Sequence, residues 1–568
     1  MQSLEAHPPA PQEFGPFADL AAHFPRFAQA LNLHARGELE EARAIYKELS
    51  DRPRLTAACL HQLASLALER SEAGIAVELF QHALRLNPTL PATYDRLANA
   101  LERTGQGQAA LNVLLEQGRM LQLAKNYADA EISYRNILSQ DPLNYGAYVN
   151  LGTCLAQVQR LPEAVQQLFR AIQLFARIDP SLRQFAHGMA SRLEVILDVP
   201  LTTPLPAGRP SGRIAMMGDA LTTLGKVMGE LGLHEEAVLC HQKSVAMTSG
   251  FALAHWNLAL ALLTLGRYDQ GWREYEWRWA WPGFPGVWRN RGLPKWQGEP
   301  LAGKRILVWA EQGFGDTLQF TPLLSQLLEQ GAQVTFEVDP SLHMLLAHNL
   351  PGVSVIAAAT ELPDLGILDF AVALLSLPLN LNLQAQDLPV ANAYLKAEPD
   401  LVLQWAQRLG RDNLPRVGIV WAGRGRPDTR RSVPFSALAT LLERRTVDWY
   451  SLQVDAPPGH GAQNDTKLHD LAPYLADFAE TAAAIANLDL VITIDSAVAH
   501  LAGAMGKKTW LLLLPWPDWR WAITMQGGDG QMNSRWYPSV RLFQRHEHSS
   551  WENLVLRVGT ALDDWLAA

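Results

Sequence analysis

Residues 294–316 read PKWQGEPLAGKRILVWAEQGFGD, and this stretch divides the chain into two kinds of sequence. Within it RILVWA (305–310) is a short apolar run of strand length. EQGFGD follows at once: Gly313 and Gly315 allow a tight strand-to-helix turn with close backbone approach, and Asp316 opens the helix. The pattern then repeats downstream. QVTFEV (333–338), VSVIAA (353–358) and FAVALL (370–375) are further strand-like runs, separated by helical segments of about 12–15 residues. A Pro-rich stretch from Leu388 to Pro415 ends this set. A second set contains RVGIVWAG (416–423), DWYSLQ (448–453), LDLVITID (488–495) and KTWLLLL (508–514). Helices are expected at Phe435–Arg445, Phe478–Asn487, Val498–Met505 and Trp551–Trp565. Strands alternating with helices predict two tandem doubly wound α/β lobes, with ligands held beyond the C-terminal ends of the strands.

Upstream of the join the period is different. Ala42 in GELEEARAIYKEL recurs 34 residues later as Ala76 and again as Ala110. A second phase joins Ala130 to Ala164, and a third joins Ala237 to Gly271, each 34 apart. A small residue at fixed spacing is what two closely crossing helices require. Leu151-Gly152 and Asn257-Leu258 occur in the preceding helices, and Asn87-Pro88 and Asp141-Pro142 stop the following ones by removing a donor. This resembles the tetratricopeptide repeat, with two antiparallel helices per unit and six or seven units in all. The phase slips are also readable. Ala110 to Ala130 spans only 20 residues, so one unit is truncated or shares a helix. The 73 residues from Ala164 to Ala237 exceed two periods by five, and the excess falls in VPLTTPLPAGRPSG (199–212), a loop. Stacked repeats present a groove suited to a peptide.

Composition narrows the function. The formal net charge of −9 leaves no basic excess to neutralise phosphates, so nucleic acid is not an expected partner. Cys59, Cys154 and Cys240 are far apart without metal-ligand spacing and read as buried thiols in a reducing compartment. Residues 1–17 lack a basic and then apolar leader, and no apolar run reaches the ~20 residues of a membrane span. The expectation is a cytoplasmic location.

Three segments could carry chemistry. After the first strand, Gly313 and Gly315 shape a turn whose N–H groups suit an anion, and Asp316 is a candidate general base as well as a helix cap. In ITIDSAVAHLAGAMGK (492–507), Asp495 ends a strand, Ser496 and the following N–H groups could face a phosphate, and His500 could donate to a phosphate oxygen as a leaving group departs. In VWAGRGRPDTRRSVPF (420–435), Arg424, Arg426, Arg430 and Arg431 offer guanidinium forks for a phosphate or carboxylate. Gln453 ends a strand at a position suited to contact a nucleotide. Asp518, Trp519, Arg520, Trp536 and Tyr537 lie in Trp-dense segments that wall a pocket or pack between lobes.

The Gly-Asp turn and the Asp-Ser-x-x-x-His turn resemble the glycosyltransferase family typified by lipopolysaccharide heptosyltransferases, over residues 303–568. In that family the second turn carries a glycine where this chain has Ala497. The resemblance implies a GT-B type pair of Rossmann-like lobes, Asp316 as base, Asp495, Ser496 and His500 at the donor, and Arg430 or Arg431 at the donor phosphate. Repeats followed by such a pair, with WREYEWRW (272–279) at the join, resemble bacterial tetratricopeptide glycosyltransferases. Some of these are linked to flagellin glycosylation with nonulosonic acids such as pseudaminic acid. The implied donor is a CMP-sugar, the implied acceptor Ser/Thr hydroxyls of flagellin. No DxD-like pair in a suitable loop asks for a metal, and no cofactor is expected beyond the nucleotide-sugar substrate.

The expected organisation is therefore an extension (1–28), repeats (29–198), a loop (199–212), further repeats and the join (213–296), a first lobe (297–400) and a nucleotide-sugar lobe (401–568). Two other readings compete: a lipopolysaccharide or small-glycan transferase, and a repeat scaffold with a decayed transferase domain.

Overall fold

Helices continue to Tyr275 before the first strand begins at Arg305 in a computed structural model of the chain. The structure describes residues 16–197, 201, 206–207, 217–286, 288–289, 292–359, 365–384, 393–410, 414–423, 429–454, 468–522, 524–526, 532–546 and 549–568. Most of the expected loop 199–212, and Arg424, Gly425 and Arg426, lie outside them. Two compact units divide after Met228.

The first unit is helical. Pro25–Ala35 and Leu39–Leu49, Thr56–Glu69 and Ala73–Leu86, and Pro91–Arg103 and Gly107–Leu123 are successive helix pairs. Each pair turns through a residue with positive φ at the same phase: Gly37, Ser71 and Gly105, then Lys125 and Gln159, and in the second unit Gly232 and Gly266. That is the 34-residue period written in the backbone, and three of the seven turns make it without glycine. The short 20-residue interval has a simple cause. Helix Gly107–Leu123 packs against both Pro91–Arg103 and Tyr127–Gln140, so it closes one repeat and opens the next. The spacing residues Ala42, Ala76, Ala110, Ala130 and Ala164 are all buried. Gly152 shows why bulk is excluded there: a Cβ on it would stand 2.6 Å from Leu168 and 3.1 Å from the Ala164 carbonyl. The 73-residue interval from Ala164 to Ala237 also holds a helix, Ser181–Leu197, packed on Leu161–Ile178.

The second unit opens with helices His234–Met247, Ala252–Thr264 and Tyr268–Tyr275 and a 3₁₀ turn, Glu276–Ala280. Its first sheet holds β1 (Arg305–Trp309), β2 (Gln333–Val338), β3 (Val353–Ala357) and β4 (Phe370–Ala373) in the order β3-β2-β1-β4, all parallel. From Ile306 on, the central β1 is apolar because it is covered on both faces. Ile306 and Val308 join the main core, and Leu307 and Trp309 a smaller cluster with Ala371 and Ala373. The second sheet holds β5 (Arg416–Val420), β6 (Asp448–Ser451), β7 (Leu468–Asp470), β8 (Leu490–Ile494), β9 (Thr509–Leu513), β10 (Thr524–Gln526), β11 (Met532–Ser534) and β12 (Val540–Gln544). Their order is β10-β11-β12-β9-β8-β5-β6-β7, and only the β10–β11 and β11–β12 pairs are antiparallel. The fold is thus an all-α repeat region followed by two α/β lobes built on parallel sheets. All eight strands expected from the sequence are present. The Trp-dense C-terminal segments, read only as walls or packing, also supply strands β10–β12 at one end of the sheet.

Candidate functional site

Two strand-to-helix turns meet between the lobes. One follows β1 and leads into helix Phe314–Phe320; the other follows β8 and leads into helix Ala497–Ala504. The two short helices pack on each other. Each turn stands at the C-terminal end of its strand, where parallel sheets leave backbone groups open to a ligand.

Asp316 has two partners. It accepts the Gly313 N–H at 3.1 Å, closing the first turn of its own helix, and it pairs with Arg520 from the loop after β9. Arg520 also reaches Asp518 at 2.7 Å and lies over the Trp519 ring at 4.4 Å. Burial would lower its pKa, but the Asp316 and Asp518 charges outweigh that and hold the guanidinium firmly protonated. Arg520, which the sequence places in a segment that walls a pocket or packs between lobes, therefore joins the lobes electrostatically.

His500 is buried in the opposite turn. Its Nδ1 is 3.0 Å from the Tyr537 hydroxyl, and its ring lies beside Trp521, centroids 4.8 Å apart. Burial first, and the Arg520 charge second, push its pKa down to about 3, so the imidazole is neutral at physiological pH. Gly315 abuts it: a Cβ there would stand 2.6 Å from His500 Cδ2. Asp495 accepts the Trp521 indole N–H at 2.9 Å and faces Arg431 at 4.0 Å. Burial and the Asp518 charge raise its carboxyl above the usual carboxylate range. Ser496 holds the N-cap position with extended backbone but turns its hydroxyl to Thr493, 3.0 Å away. It leaves the first N–H groups of the helix uncapped by its side chain.

The remaining named residues are arranged around β5. Arg431 packs on Gly423, where a Cβ would stand 2.7 Å from its Nε. Arg430 points elsewhere, to Glu230 at 3.6 Å. Gln453 uses its carbonyl oxygen within the protein, accepting Ala422 N–H at 2.9 Å and Trp421 N–H at 3.3 Å, which ties the end of β6 to the end of β5. The structure thus brings Gly313, Gly315, Asp316, Asp495, His500 and Arg431 toward one locus, adds Arg520, Trp521 and Tyr537, and places Arg430 and Gln453 in supporting contacts. Trp521 was not singled out in the sequence, and its Trp-rich context was the only signal. Among the described residues no group of three or more His, Cys, Asp or Glu is placed to hold a metal, and no helix is long and apolar enough to cross a membrane.

Comparison with known proteins adds the following. Residues 115–182 match the tetratricopeptide repeat. Protein FlbA of Caulobacter vibrioides is 28% identical over 371 residues, which cover 61% of this chain and 60% of FlbA, so the chain spans about three-fifths of that relative's length. A glycosyl transferase family 9 structure from Veillonella parvula is 13% identical, covering 48% of this chain and 99% of its own, with a TM-score of 0.35. The pilF protein of Pseudomonas aeruginosa is 16% identical, covering 40% of this chain and 76% of its own, with a TM-score of 0.20.

Proposed function

We propose that this chain is a protein O-glycosyltransferase that moves a sugar from a nucleotide-sugar to Ser/Thr of a protein acceptor held by the repeats. The observation that carries the reading is the meeting of two ligand-facing turns from different sheets, with Gly315 against His500 and Asp316 bound to Arg520. Arg431 faces Asp495, the residue before the N-cap Ser496, Arg520 pairs with Asp316 on the neighbouring turn, and Ser496 makes no side-chain cap on helix Ala497–Ala504, a setting suited to a phosphate.

In this mechanism the donor phosphate draws Arg520 from Asp316. The freed carboxylate takes the proton of the acceptor hydroxyl as its oxygen attacks the anomeric carbon. The bond from that carbon to the phosphate oxygen breaks, and the electron pair leaves with the phosphate. Arg431 and Arg520 balance the growing charge, and neutral His500, with Tyr537 donating to Nδ1, offers Nε2–H to the departing oxygen. The repeats raise the local concentration of acceptor at the cleft. By the resemblance of the whole chain to bacterial tetratricopeptide glycosyltransferases, the donor is a CMP-nonulosonic acid such as CMP-pseudaminic acid and the acceptor is flagellin, modified in the cytoplasm.

The test is intact-mass spectrometry of flagellin co-expressed with this protein and a pseudaminic acid pathway, beside an Asp316→Ala control. Sugar-sized mass steps absent from the control support the reading. Unmodified flagellin, with donor formed and protein folded, overturns the proposed donor–acceptor pair.

A further inference from the structure

The last repeat does not end beside the lobes; it is built into both halves of the site. Tyr275, the final residue of helix Tyr268–Tyr275, accepts the Gln312 side-chain N–H at 2.7 Å, and Gln312 is the residue before Gly313 of the Asp316 turn. One turn further on, Arg278 is fully buried. Its guanidinium reaches Glu311 at 3.0 Å, Ser376 at 2.8 Å and Glu276 at 2.6 Å. Glu311 in turn accepts the Leu375 N–H at 3.2 Å, just beyond the end of β4. This network therefore ties the C-terminal ends of β1 and β4 to the last repeat. On the other side, Trp272 meets Trp519 edge to face, centroids 5.5 Å apart, and Trp519 lies directly before Arg520. Helix Ala252–Thr264 packs on the short helix Trp519–Ala522 that carries both residues.

A simple tether would not need this. Burying an arginine between two carboxylates is an expensive way to hold a join, because desolvation offsets most of the attraction; what such a network gives is fixed geometry. The groups it fixes are those flanking Asp316 and Arg520. We propose that Tyr275 and Arg278 are positioning residues: the last repeat sets the placement of the Asp316 turn relative to the Arg520 loop, so that the lobes form a competent site only with this repeat in place. The inference rests on the transferase reading for its consequence in turnover, while its structural part stands by itself.

The experiment uses the full chain with Tyr275→Phe, which keeps the ring and its packing on Trp256 and Trp272 but removes the oxygen that receives Gln312. Hydrogen–deuterium exchange is followed on peptides covering 305–323, with thermal stability and transfer kinetics in parallel. Loss of one net hydrogen bond is worth a factor of about five. The expected result is exchange about fivefold faster at 312–317 and unchanged in the rest of the lobe. With it, kcat falls about fivefold and KM for donor holds. Arg278→Lys, which keeps the charge but cannot span three partners, should move the same peptides further. Unchanged exchange at 312–317 overturns the proposal, and so does faster exchange spread evenly over the lobe with a lowered Tm, which marks a purely structural join. If the wild-type chain transfers no sugar, the transferase reading fails and the exchange data alone decide the positioning role.

Discussion

Gly315 and His500 face each other across the two lobes with no room between them for a methyl group: a Cβ at 315 would stand 2.6 Å from His500 Cδ2 and 3.2 Å from Nε2. The imidazole cannot easily retreat, since Trp521 lies beside it and Tyr537 holds Nδ1. One methyl group is therefore a probe of how closely the turns must approach.

Gly315→Ala is expected to push the turns apart. Overpacking of this kind costs about 1–3 kcal/mol, which corresponds to a loss of about 5- to 150-fold in turnover if the strain falls on the reacting geometry. Steady-state kinetics and thermal melting on the same preparation check this. Full activity in a stably folded variant would show that the proximity of these turns has no catalytic meaning.

The Asp316–Arg520 pair is mostly shielded from water, the two side chains being 16% and 12% exposed, so it should resist salt more than a surface pair does. A double-mutant cycle with Asp316→Asn and Arg520→Met is expected to give a coupling energy of about 0.5–3 kcal/mol in denaturant stability, little changed between low and high salt. Additive single effects would mean that the pair does not hold the lobes together in solution.

Much of this was legible in the sequence, and the reason is local. The inner strands β1, β5, β8 and β9 are nearly continuous apolar runs because neighbours cover them on both faces, and the 34-residue spacing of small residues follows from helix crossings that admit nothing larger than a methyl group. Asp316 and His500 stood out because each sits where a strand ends and a helix begins. Arg520 and Arg278 did not, because their meaning lies in long-range partners, Asp316 two hundred residues earlier and Glu311 on another element. Strands β10–β12 were hidden by the tryptophans around them, which read equally as pocket or packing. Gln453 was read as ending a strand and lies two residues past the end of β6, but such a position does not say whether its amide faces a ligand or, as here, the neighbouring backbone.

Glu311 should make stability depend on pH in an unusual direction. Burial pushes its carboxyl up to about 7 in spite of Arg278, well above the ordinary glutamate value of about 4.3. The folded state thus binds its proton more tightly than the unfolded state. Its contribution is full below about pH 4.3 and is lost as pH rises through about 7. Glu311→Gln keeps a hydrogen-bonding oxygen and removes the titration. The difference in denaturant midpoint between variant and wild type should move in the variant's favour between pH 5.5 and pH 8. A difference independent of pH over that range would show that Glu311 stays ionised beside Arg278.

His500 should not titrate in the physiological range. Burial and the Arg520 charge hold its pKa near 3, against about 6.5 in an unfolded chain, so the neutral ring contributes stability above about pH 6.5 that fades as pH falls toward 3. Its Cε1–H NMR resonance is expected to stay fixed from pH 8 to pH 5. The tautomer is the sharper question. If the Tyr537 hydroxyl donates to Nδ1, the proton sits on Nε2 and His500 can donate to a leaving phosphate. In the competing arrangement the Tyr537 proton goes to Tyr394, whose own hydroxyl donates to the Leu318 carbonyl at 2.9 Å. Nδ1 would then carry the proton and Nε2 could only accept. Nitrogen-15 shifts of the ring separate the two states, and Tyr537→Phe should shift the balance away from Nε2–H. Finding Nδ1–H in the wild-type chain would remove His500 as a donor to phosphate and leave that task to Arg431 and Arg520.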